Sequence, residues 1–159
     1  MPMNEKIVAS CLLALVVSML LVGVVSDTIL RHTVQVVPGI VGLVLLSRRI
    51  PWAPYAALAA FVFWLFIMTL IWLFLLGLAR VVTGDFSAPE VGLTIGVGLA
   101  SVAGIVAVLR VRSTVGRLHR VVAFLAFAGC QVAAMWISLQ PFFATRSAEG
   151  SPLRHVLRG

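Results

Sequence analysis

Polar and apolar positions in this chain separate into blocks. Apolar runs at about residues 7–25, 29–47, 56–79, 91–109 and 121–139 are divided by short joints that hold most of the charge. The stretch between Arg49 and Arg80 contains no charge, and its middle reads Phe61-Val62-Phe63-Trp64-Leu65-Phe66-Ile67-Met68-Thr69-Leu70-Ile71-Trp72. An α-helix needs roughly 20 apolar residues to cross a ~30 Å hydrocarbon layer, and the runs meet that length. Inside lipid the backbone must satisfy its own hydrogen bonds, which uninterrupted apolar runs do as helices. A membrane β-barrel would show two-residue alternation, and none is visible.

The expected fold is therefore all-α: an integral membrane helical bundle of about five transmembrane helices over residues 1–141, followed by a mobile polar tail at 142–159. Four helices is the alternative, if the first run is cleaved as a signal peptide or the second does not span. The first run is long for a signal peptide and little charge precedes it, which favours a retained helix.

Composition narrows the class. Of 159 residues, 62% are hydrophobic and 11% charged, too little polar surface for a soluble globule. The net charge of +7 would suggest nucleic acid in a soluble protein. Here the arginines lie in joints between spans and act as topology signals instead, so no nucleic-acid partner is expected. The joints holding Arg48, Arg49, Arg110, Arg112, Arg117 and Arg120 are far more basic than those holding Arg31, Arg80, Asp27, Asp85 and Glu90. By the positive-inside rule the N-terminus is cytoplasmic and the C-terminus lies outside a cell's inner membrane. Arg146, Arg154 and Arg158 in the tail run against that orientation. Leu153, Val156 and Leu157 are suited to rest on a membrane surface.

Two helices carry small residues at strict four-residue spacing: Gly92, Gly96, Ala100 and Gly104 on the fourth, and Ala126, Cys130, Ala134 and Ser138 on the fifth. Ser10, Ala14 and Ser18 give the first helix a shorter version. In lipid, helices associate through close backbone approach and dispersion, which small residues allow. The two ridges predict a tight hairpin of the fourth and fifth helices, with the bulky third helix facing lipid or supplying large knobs. Such faces also suit another membrane protein or a second copy of the chain.

Polar residues inside the spans are few. The second run carries Arg31, His32, Gln35 and Pro38 in its first half. If Asp27 caps that helix, Asp27, Arg31 and Gln35 lie along one face. Pro38 also deprives the Val34 carbonyl of its helical donor. Charges within spans face cavities or partners, so Asp27, Arg31, His32 and Gln35 form the candidate polar site, an anion- or headgroup-binding mouth on the outer side. The competing reading is that Arg31, one turn into its helix, snorkels to the interface and pairs with Asp27. Gln131, in the middle of the fifth run, is expected to bond to a neighbouring helix.

Cys11 and Cys130 lie in different runs and read as packing residues. No His or Cys pairing suggests haem or zinc, and no cofactor is expected. Phosphate loops, zinc-protease motifs, nucleophile elbows and paired intramembrane carboxylates are all missing from the sequence. The functional expectation is a non-enzymatic subunit or binding partner of a larger membrane assembly. The alternative is a small-solute transporter or channel with its mouth at Asp27, Arg31, His32 and Gln35. A lipid-headgroup enzyme using Arg31 and His32 is third.

Overall fold

A computed structural model of the chain describes residues 2–79, 86–112 and 114–144. The described residues form six helices: α1 (Met3–Val25), α2 (Ile29–Ser47), α3 (Ala53–Leu75), α4 (Ala88–Leu109), α5 (Arg117–Ser138) and the single turn α6 (Pro141–Ala144). No strand occurs among the described residues. The five long helices are each long and apolar enough to cross a membrane, and the chain is an all-α membrane helical bundle.

The helices extend beyond their apolar runs where the flanking residues support a first turn. Pro54 occupies the first turn of α3, where a missing N–H costs nothing. A capping box opens α4, as Ser87 followed three residues on by Glu90 allows: Glu90 accepts hydrogen bonds from the Ser87 N–H and hydroxyl, both at 2.7 Å. α3 ends at Leu75, short of the expected 79, because Gly77 turns the chain with a φ of 72°.

The helices form a ring in the order α1, α4, α3, α5, α2 and back to α1. Helices α4 and α5 do not touch, so the expected hairpin between them is not formed. The reason lies in the spacing of the ridges. Four residues turn an α-helix by about 400°, so each step along such a ridge rotates it by about 40°. From Gly92 to Gly104 the ridge winds a third of the way round α4. Gly92 meets nothing, Gly96 lies against Ser18 of α1, and Gly104 receives the ring of Phe61 from α3. The α5 ridge divides in the same way: Ala126 and Cys130 are exposed, whereas Ala134 and Ser138 are buried.

Helix α3 supplies knobs to the interior. Phe61, Trp64 and Met68 are buried, and Trp72 presses into the notch left by Gly98 while donating to Thr94 Oγ1 at 3.2 Å. Its two halves differ. The first is rich in buried alanines, Ala53, Ala56, Ala57, Ala59 and Ala60, whose small side chains admit close helix approach. The second is aromatic and branched, and there the neighbouring helices stand further apart around a space.

The apolar core is built from α1, α2, α3 and α4, centred on Val8, Leu12, Leu15, Phe61, Val97 and Val108. Helix α5 is the least buried span, with 22% of its positions covered against 39% for α4. It is joined to α2 by polar bonds instead. One end of the bundle gathers Arg48, Arg49, Arg110, Arg117 and Arg120, with Asn4 donating to the Arg110 carbonyl and Arg120 lying over the Tyr55 ring. The opposite end holds residues 26–31 and 86–90.

Candidate functional site

At that opposite end the ring encloses a cavity of about 470 Å³ to which all five long helices contribute. Ligand pockets run from about 300 to 1,000 Å³, so the space suits a small molecule. Its polar wall is the first half of α2, with Arg31, His32 and Gln35, joined at the rim by Ser26, Thr28 and Glu90. Thr94 supplies a hydroxyl from α4. The remaining surface is apolar: Met19 of α1, Trp64, Ile67, Met68 and Ile71 of α3, Val97 of α4, and Met135 and Leu139 of α5.

Three of the four residues singled out in the sequence meet here. Arg31 and Gln35 are one helical turn apart and His32 adjoins Arg31, so a single helix face presents them together. Asp27 is the exception. It adopts a left-handed φ of 57° in the turn between α1 and α2, is exposed, and does not line the cavity. Thr28 takes the N-cap position instead. The tight joint causes this: the Asp27 N–H bonds back to the Val24 carbonyl and the Thr28 N–H to Gly23, so Asp27 is used in turning the chain. Among the described residues no ion pair joins Asp27 to Arg31, and the expected snorkelling pair is not made. Arg80 and Asp85, expected at the same level, lie outside the described residues, as do His155 and the arginines of the tail.

Each polar group on the wall is held differently. The His32 Nδ1 lies 3.0 Å from both Thr28 Oγ1 and the Thr28 carbonyl. A carbonyl only accepts, so the ring carries its proton on Nδ1, and Nε2 of the neutral ring is the acceptor. Behind it the ring packs on Gly23 so closely that a Cβ there would stand 2.9 Å from His32 Cβ. Gln35 is 2% exposed and donates to Ser138 Oγ at 2.9 Å. Ser138 passes its own proton to the Met135 carbonyl at 2.7 Å.

Gln131 donates to the backbone carbonyl of Gln35 at 2.9 Å, an interhelical bond of the kind its position suggested. The acceptor is one residue beyond the Val34 carbonyl that Pro38 leaves without a helical donor. Helix α2 continues through Pro38. The α2–α5 contact is thus a polar relay running Gln131 to the Gln35 backbone and Gln35 to Ser138.

Two buried polar atoms have no hydrogen-bond partner among the described residues: Arg31 Nε on the cavity wall and Gln131 Oε1. Glu90, expected at the level of Arg31, lies at the rim; Trp64, Met68, Thr94 and Met135 were not singled out from the sequence, because nothing in it states which helices converge. Thr94 and Ser101, seven residues apart on one face of an otherwise apolar α4, were the available signal. Among the described residues no three His, Cys, Asp or Glu side chains gather as metal ligands. Comparison with protein-family models, curated proteins and solved structures gives no match.

Proposed function

We propose that this membrane protein binds a small molecule in the cavity at the 26–35 end of the bundle, in a non-catalytic, carrier-like role. The observation that carries the reading is the convergence of Arg31, His32 and Gln35 on one cavity whose other walls come from every remaining long helix. Intramembrane charge faces cavities that work, and an arginine facing an apolar chamber has no structural use there. The concentration of arginine at the far end supports an inner membrane, a cytoplasmic N-terminus and a cavity open to the outer side.

A second reading, a subunit of a larger membrane assembly, is supported by α5. Its outward face shows small residues, Ala126, Gly129, Cys130 and Ala133, beside an exposed Trp136. One experiment addresses both. The tagged protein is extracted natively in polymer nanodiscs, and its bound small molecules and proteins are identified by mass spectrometry. The cavity reading expects one compound enriched over bulk lipid and lost from Val97→Phe and Ile71→Trp, which fill the chamber. Identical small-molecule content in native and filled proteins would refute it. A protein at fixed ratio would favour the subunit.

A further inference from the structure

We infer that the ligand is an anionic amphiphile, its head held by Arg31 and its chain lying along the α3 wall; this rests on the reading of the cavity as a ligand site. The argument starts from Arg31. Its Nε is fully buried without an acceptor, and its side chain makes no hydrogen bond or ion pair among the described residues. Arg31 reaches the chamber wall, and the paired N–H donors of a guanidinium match the two oxygens of a carboxylate or phosphate. Water would meet the donors but leave a cation without counter-charge in a weakly polarisable setting.

Among the described residues the other charge at the rim is already engaged. The Glu90 carboxylate is turned towards the start of its own helix, accepting from the Ser87 N–H and hydroxyl. With His32 Nδ1 engaged by Thr28, the polar wall keeps Arg31 as its cationic donor.

The apolar part fits a chain. Beyond Arg31 the space is bounded by Met19, Met68 and Met135, with Trp64, Ile67 and Ile71 along one side. Thioether side chains have several soft torsions and mould to flexible hydrocarbon. Arg31 lies in the first turn of α2, near the end of the span, with Gln35 about 6 Å further along the helix. A molecule entering from the bilayer therefore arrives with its head level with Arg31 and its chain pointing inward.

The test uses the full-length protein in nanodiscs of zwitterionic lipid, with diazirine-bearing dodecanoate, phosphatidate, dodecanol and dodecylamine as photoprobes. Adducts are mapped by peptide mass spectrometry. The anionic probes are expected to label Trp64, Met68 or Met135 about ten-fold more than the alcohol or amine, the margin of one charge-assisted pair. Arg31→Gln should reduce them to the level of the alcohol, and Arg31→Lys should retain part. Unlabelled dodecanoate should compete where dodecanol does not, a comparison that needs no variant. Labelling by dodecanoate alone supports a free carboxylate, and by phosphatidate alone a lipid headgroup; either upholds the anion. Equal cavity labelling by alcohol or amine overturns the anion and leaves the cavity reading standing. Adducts confined to the outer surface with every probe overturn both.

Discussion

Replacing Gly104 by alanine tests whether the bundle is held by knobs seated in glycine notches. A Cβ at Gly104 would overlap three atoms of the Phe61 ring, and that ring is 0% exposed and enclosed by the core. It has no room to swing away, so relief requires α4 and α3 to separate. Overpacking of this kind costs about 1–3 kcal/mol, and a fixed aromatic partner places the cost in the upper half. The higher helix propensity of alanine returns up to about 1 kcal/mol, leaving a net loss of about 1–2 kcal/mol. Phe61→Leu shortens the knob and should recover part of that loss in the double variant. The expected coupling is about 1–2 kcal/mol in favour of the pair. Denaturing-detergent titration followed by circular dichroism in mixed micelles measures all four proteins of the cycle. Additive effects, or a neutral Gly104→Ala, would refute the reasoning.

Two further outcomes follow from the same geometry. Gly92→Ala and Gly129→Ala, where an added Cβ meets nothing within 4 Å, should leave stability unchanged or raise it by up to about 1 kcal/mol in that titration; a loss comparable to that of Gly104→Ala would mean that the ridges act as continuous faces. Gln131→Leu removes the bond to the Gln35 carbonyl together with the unpartnered Oε1, and should destabilise by about 0.5–1 kcal/mol. Stabilisation instead would show that the orphan acceptor costs more than the interhelical bond contributes.

The spans were legible because membrane crossing is a matter of length and polarity, both written locally in the chain. Pairing was not. Gly96 and Gly104 announce close approach, but a ridge that winds round its helix faces two partners, and α4 meets α1 at one glycine and α3 at the other. The polar site was legible where neighbours share a helix, as Arg31, His32 and Gln35 do. It failed at Asp27, where the hydrogen bonds of a tight turn override helical spacing. Trp64, Thr94 and Met135 reach the cavity only through the tertiary arrangement.

The modest burial of α5 bears on how the molecule is made. The continuous apolar core belongs to α1, α2, α3 and α4, and α5 joins it by packing against α3 and by the bonds of Gln131 and Ser138 to Gln35 of α2. A nascent chain can therefore assemble its interior before α5 leaves the ribosome. The chamber lacks the Met135 side of its wall until α5 docks, so the candidate site needs all five long helices in place.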